Sequence, residues 1–281
     1  MGRYLRPATL EAALALLAER PRTVLAGGTD HYPARVLNAP DEDILDISAL
    51  PGLRAIGRRG DHWVIPCLAT WSDLIAADLP AAFDGLRAAA RQVGGRQVQN
   101  VATVLGNVCN ASPAADGIPC LLALDAEVEL ASRDGRRVLP LAEFVLGPRR
   151  TARRPEELAL GLRIPARGDA ARSVFLKLGG RRYLVISIVM VAAVAEFDAG
   201  GRIARARVAV GACSPVAQRL PALEAALAGQ RPDPALVRAE HLAALSPIGD
   251  VRGSAAYRSA AALEMVRRAV ASLGAVEAIA A

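Results

Sequence analysis

Two short stretches of small residues carry most of the chemistry this chain offers. The first, "LAGGTD" (25–30), is an apolar run entering a double glycine. Gly27 and Gly28 leave their backbone N–H groups unscreened, so an anionic group such as a phosphate can approach closely. Thr29 adds a hydroxyl donor. Asp30 is placed to cap a following helix, "HYPARVLN", whose first turn tolerates Pro33. The second stretch, "ATVLGNVCNASPAAD" (102–116), holds a single charge, Asp116. Gly106-Asn107 and Asn110-Ala111-Ser112-Pro113 supply turns, amides and backbone donors. Asp116 can accept two hydrogen bonds, for instance from ligand hydroxyls. Taken alone it is better read as the N-cap of the next helix, "GIPCLLALDA". Together the two loops form walls able to hold one extended, phosphate-containing ligand.

Missing patterns narrow the chemistry. Neither G-x-x-x-x-G-K-[ST] nor G-x-G-x-x-G occurs, which excludes a Walker loop and the Rossmann fingerprint. His31, His62 and His241 share no metal-ligand spacing. Cys67, Cys109, Cys120 and Cys213 contain no C-x-x-C pair, so no metal site is expected within the chain. Ser112 lies in "NASPA" rather than a G-x-S-x-G elbow. Cys109 reads as a buried, inert small hydrophobe. Of the 34 basic residues only Lys177 is a lysine. A compact ammonium and a planar guanidinium are not interchangeable at a tight site, which singles Lys177 out.

The elements that must position these residues follow from periodicity. Leu10, Ala13, Leu14 and Leu17 share one helical face over residues 8–20, with Thr9 as N-cap and Pro21 as stop. "RTVLAGGTD" and "DILDIS" read as strands, and 53–70 as a hairpin turning at Gly60-Asp61. Thr70 caps a short helix, and a longer one over about 80–93 ends at Gly94-Gly95. Strands "EVELAS" and "RRVLPL" are joined at Asp134-Gly135. A Pro- and Gly-rich shift over 147–170 marks a domain boundary. Beyond it lie apolar strands "SVFLKLGG", "YLVISIVMVAAVAEF" and "IARARVAVGACS", then three alanine-rich helices.

The totals fit a globular chain of 281 residues with 53% hydrophobic residues, a net charge of +6 and a sequence pI of about 9.7. Aromatics are only 4% and the arginines are dispersed, which argues against nucleic acid. The start has no contiguous apolar signal segment, and the longest apolar run, 184–195, is short of the roughly 20 residues a membrane span needs. A soluble, cytoplasmic protein is expected.

At the two loops the sequence resembles the FAD-binding medium subunits of molybdenum hydroxylases, the xanthine dehydrogenase and carbon monoxide dehydrogenase group. "LAGGTD" (25–30), "QNVATVLGNVCNASPAAD" (99–116), "LLALDA" (121–126), "KLGGRRYLVISIVMVA" (177–192) and "DVRGSAAYR" (250–258) are similar to motifs of that family, in the same order. The resemblance implies an α+β fold. It comprises a two-part FAD-binding module of the vanillyl-alcohol-oxidase (PCMH) type at 1–165, with subdomains of about 1–52 and 53–165, and a C-terminal domain at 170–281 with a small antiparallel sheet and helices. It implies that Ala26, Gly27, Gly28, Thr29 and Asp30 cradle the FAD pyrophosphate, with His31 beside them. It places Thr103, Gly106, Asn107, Ser112 and Asp116 along the rest of the phosphate, ribityl and flavin, and Lys177 near the flavin.

It further implies a heterotrimer, or a dimer of heterotrimers, with a molybdopterin-binding large subunit and a 2Fe–2S small subunit, passing electrons through FAD to an external acceptor. Two other readings stay open on the residues alone: a self-contained FAD oxidoreductase, and a structural subunit that has lost FAD. Departures from the family pattern bear on this. Leu105 stands in place of a glycine, Gln99 in place of an arginine, Val185 in place of an aspartate, and His31 at a position more often apolar.

Overall fold

A three-stranded parallel sheet begins the chain, with β1 (Tyr4–Leu5), β2 (Thr23–Leu25) and β3 (Ile44–Asp46) in the order β1-β3-β2. The computed structural model describes residues 2–35, 41–168 and 170–275. Thr9 caps α1 (Leu10–Glu19) by accepting from the Ala12 N–H at 3.2 Å, and Ala13, Leu14 and Leu17 form its buried face, as their spacing predicts. β2 runs straight into the double glycine. The helix expected over 31–38 is, among the described residues, a single 3-10 turn at Pro33–Arg35. Asp30 does not cap it, because its carboxylate is turned to Arg149. Residues 36–38 of that expectation lie outside the described residues.

The hairpin β4 (Gly57–Arg59) and β5 (His62–Pro66) turns where expected, with Gly60 at φ 62°. Thr70 and Asp73 make a reciprocal capping box on α2 (Trp71–Ala76). The expected 80–93 helix is split into a 3-10 turn at Ala81–Phe83 and α3 (Asp84–Ala90), leaving through Gly94 at φ 52°. α4 (Arg96–Gln99) and α5 (Val104–Asn110) follow, then α6 (Gly117–Ala123). β6 (Glu127–Ser132) and β7 (Gly135–Pro140) form the second hairpin. α7 (Leu141–Phe144) leads to the small hairpin β8 (Val145–Gly147) and β9 (Arg150–Thr151). β10 (Leu158–Pro165) then returns between β5 and β6, completing an antiparallel sheet ordered β4-β5-β10-β6-β7.

The last sheet explains the longest apolar run. β11 (Ala171–Leu178), β12 (Val189–Phe197), β13 (Ile203–Gly211) and β14 (Gln218–Arg219) are antiparallel neighbours. Side chains alternate across a strand. Met190, Ala192 and Val194 of β12 therefore join the core built with α3 and α6. Val189, Val191, Ala193 and Ala195 join a second core with α8 (Pro221–Leu227) and α9 (Ala255–Ala275). A strand buried on both faces has no polar phase, so its sequence reads as continuous hydrophobicity. β12 is shorter than the expected strand. Residues 179–188 form a loop instead, in which Leu184 has φ 51°. Of the three C-terminal helices expected, two form, and the segment between them holds only 3-10 turns.

The first core meets the sheet closely. A β-carbon on Gly85 of α3 would lie 2.9 Å from the Val174 carbonyl oxygen, and the Gly85 N–H donates to Ser173 Oγ at 2.8 Å. At the far end, buried Arg258 of α9 donates to the carbonyls of Ile188 and Ala212, at 2.6 and 3.0 Å, and to Asp250 at 2.7 Å. This pairing gives the "DVRGSAAYR" motif a structural role: it staples α9 to the sheet.

Candidate functional site

The two small-residue stretches meet at a cleft of about 650 Å³. The double glycine lies hard against the segment leading into α5. A β-carbon at Gly27 would stand 2.2 Å from the Val101 carbonyl oxygen, so only glycine lets the two walls touch. Gly28 has φ 65° and packs against the Tyr32 ring, a second reason for glycine. On the other wall Thr103 caps α5, accepting from the Gly106 N–H at 3.0 Å. A side chain at Gly106 would collide with that hydroxyl at 2.6 Å. Leu105 is buried in helical backbone with no positive φ, so replacing the family's glycine strains nothing there. Gln99 closes the end of α3 by donating to the carbonyls of Arg91 and Val93, a task that needs no charge.

Of the residues singled out in the sequence, Ala26, Gly27, Gly28, Thr29, Asp30, His31, Thr103, Gly106 and Asn107 line the cleft. Ser112, Asp116 and Lys177 are not in that lining. Ser112 Oγ accepts from the Ala114 N–H at 3.3 Å and shapes a turn. Asp116 precedes α6 but makes no side-chain cap. Its carboxylate instead takes Lys177 Nζ at 2.5 Å and the Ser187 hydroxyl at 2.6 Å. Both charged side chains are almost wholly buried. Burial raises the Asp116 carboxyl above its ordinary value, and the Lys177 ammonium and Ser187 hydroxyl offset only part of that. The pair ties the start of α6 to β11 and the 179–188 loop. The next residue, Gly117, packs against Trp71 and Asn107 of the cleft wall, so the tie sits one layer behind it.

The cleft is rich in arginine. Its lining includes four arginines, Arg22, Arg35, Arg149 and Arg153, against the single carboxylate of Asp30. Arg22 reaches Glu19 at 2.8 Å and Asp43 at 3.9 Å, and Arg35 reaches Glu42 at 2.8 Å. His31 Nε2 lies 3.4 Å from the same Glu42. Arg149 pairs with Asp30 and Asn110 across the rim. Among the described residues, the hydrogen bonds of the Arg153 guanidinium all go to carbonyl oxygens. Three polar atoms of lining residues, Arg22 Nε, Asn107 Oδ1 and Trp71 Nε1, are buried without a hydrogen-bond partner among the described residues. Such orphans are costly unless a ligand completes them. Cys109 also lines the cleft and is half-buried there, not fully buried as expected; desolvation pushes its thiol up to about 11, with Arg153 pulling the other way. Among the described residues no group of His, Cys, Asp and Glu is arranged to hold a metal, and no helix is long and apolar enough to cross a membrane.

Comparison with known proteins gives this cleft its context. The FAD binding domain in molybdopterin dehydrogenase matches residues 1–167, and the CO dehydrogenase flavoprotein C-terminal domain matches residues 175–273. The chain belongs to the FAD-binding medium subunits of the molybdenum hydroxylases. The carbon monoxide dehydrogenase medium chain of Hydrogenophaga pseudoflava is 30% identical over 274 residues, covering 95% of each chain. The xanthine dehydrogenase FAD-binding subunit of Escherichia coli O157:H7 is 32% identical over 222 residues, covering 75% of this chain and 74% of that one. A solved structure of the Hydrogenophaga pseudoflava dehydrogenase, lacking the Mo-pyranopterin moiety of its cofactor, superposes with a TM-score of 0.91 at 31% identity. It covers 98% of this chain and 97% of that one.

The cleft of this medium subunit fits FAD on its own features. The glycine edge admits a phosphate, and the arginines suit an anion. The sequence reading missed Trp71, Arg22, Arg35, Arg149 and Arg153. Arg149 and Arg153 stand among the dispersed arginines of the sequence, and only the fold shows that they line one side of the cleft.

Proposed function

We propose that the chain is the electron-exit subunit of a cytoplasmic molybdenum hydroxylase. It would assemble with a molybdopterin-binding large subunit and a 2Fe–2S small subunit as a heterotrimer or a dimer of heterotrimers. The observation that carries this is the cleft: an arginine-rich lining on a glycine edge that no side chain can enter. When bound, FAD supplies the redox chemistry between the molybdenum and iron–sulfur partners and an external acceptor. The residues of this chain bind and orient. The Gly27 and Gly28 amides with Ala26, Thr29 and Asp30 hold the diphosphate end, and His31 borders it. Thr103, Gly106 and Asn107 form the facing wall. Asp116 and Lys177, braced by Ser187, fix the end of the cleft from behind, and Ser112 shapes the turn before them.

The experiment has two readouts. Purified chain incubated with FAD and gel-filtered retains flavin absorption bands; their absence sinks the reading. The assembled complex, reduced with dithionite, passes electrons to a soluble acceptor quickly with flavin bound and at least tenfold more slowly once flavin is stripped. Equal rates would remove the exit role. Substrate turnover by the purified chain alone would favour a self-contained oxidoreductase.

A further inference from the structure

The β8–β9 hairpin and the residues after it bring Arg149 and Arg153 to the same cleft, and the two are held differently. Arg149 has φ 60°, its N–H donates to the Ala111 carbonyl at 3.0 Å, and its guanidinium is clasped by Asp30 and Asn110 at the solvent-facing rim. Arg153 is half-buried. Its Nη1 donates to the carbonyl oxygens of Glu157, Arg154 and Pro155 at 2.7, 3.1 and 3.4 Å.

Those carbonyls fix the head group without neutralising it. Each of the other three lining arginines has a carboxylate partner. Among the described residues none lies within 4.0 Å of Arg153. A guanidinium fixed by carbonyls in the wall of the cleft that the glycine edge also lines, and without a counter-ion, is preorganised for an anion. Its planar fork matches two phosphate oxygens better than a point charge does.

We propose that Arg153 binds the diphosphate bridge of the dinucleotide and makes the cleft select FAD over flavins that lack a diphosphate. This rests on the reading of the cleft as the FAD site. No other lining residue offers an uncompensated positive charge, so the preference for a dinucleotide depends on this side chain more than on the paired arginines.

The test is flavin binding by the purified full chain, followed by fluorescence quenching with FAD, FMN and riboflavin at low and high salt. R153Q is expected to weaken FAD about 10- to 100-fold, the worth of one charge-assisted hydrogen bond or two. Riboflavin, which has no phosphate, should change less than about threefold on the same reasoning, with FMN between. R153K, which keeps the charge, should retain most of the preference. Equal weakening of FAD and riboflavin by R153Q would assign Arg153 a role in shaping its loop only and overturn the proposal. So would no change in either. Should the neutral variant not fold, salt decides: FAD affinity of the unaltered chain must fall with salt while riboflavin affinity does not, and salt-independent FAD binding overturns the proposal. An unaltered chain that binds none of the three flavins defeats the reading of the cleft itself, not the role of Arg153.

Discussion

Lys177 is the only lysine in the chain, and its Nζ lies 2.5 Å from Asp116 Oδ2 with little solvent on either side. Removing one member of such a pair leaves the other charge buried and uncompensated, at a cost of about 3–5 kcal/mol, whereas removing both costs far less. Lys177→Met is therefore expected to destabilise strongly in urea unfolding. Adding Asp116→Asn should restore much of the loss, and additive losses would show that the pair is not coupled. The contrast between Asp116 and Arg153 also marks what sequence can reveal at this scale. Gly27 and Gly28 were legible because glycine itself signals a close approach. Asp116 was not, because its type suits a cap, a ligand or an ion pair, and the partner that decides lies 61 residues away. Arg153 was invisible for a related reason: what distinguishes it is the lack of a carboxylate, a property of the fold.

At the scale of elements, the cleft exists because the turn after β2 and the segment before α5 touch without side chains between them. Gly27→Ala would place a methyl 2.2 Å from the Val101 carbonyl oxygen and force the walls apart. The expected outcome is a fall in FAD affinity of at least tenfold, with a drop in melting temperature of several degrees, read by fluorescence titration and thermal unfolding. A second element-level device is the staple of α9. The Arg252 N–H, and then the Arg258 guanidinium, hold the Asp250 carboxyl down to about 2, against an ordinary value of 3.8. A carboxyl depressed in the fold stabilises it above the unfolded value, and that contribution is lost as pH falls through the folded one. The unaltered chain should thus lose this increment between about pH 4 and pH 2. Asp250→Asn should show a flatter stability profile across that window, and identical profiles would count against the staple. Most elements were foreseen because caps and turns are local: Thr9, Thr70, Gly60 and Gly94 all do what their types suggest. The failures are non-local. The helix after Asp30 is overridden by the attraction of Arg149, and the strand over 183–197 is cut short where Ser187 is drawn to Asp116.

For the whole molecule the decisive element is β12, whose alternate side chains belong to two different cores. Sequence alone places a domain boundary over 147–170, yet Leu158, Leu162, Ile164, Ala171 and Phe175 all belong to the first core, residues packed on the second core begin only at Val174 of β11, and the two cores share a sheet. Residues 1–167 expressed alone would uncover the face of α3 and α6 that packs on Phe175, Met190, Ala192 and Val194. Such a fragment should bind the dye ANS and aggregate on size exclusion, while the full chain does neither; a monomeric, dye-silent fragment would refute the shared core. The same strand bears on motion. Two lobes can open like a clamshell only along a line that side chains do not cross, and here that line is filled from both sides, with the Gly85 backbone pressed against β11. The cleft lies wholly to one side of that line, among residues 22–159, so its opening is left to the N-terminal half alone. The C-terminal half is pinned to the layer behind the cleft through Lys177 and Asp116, so the two halves shift as one piece.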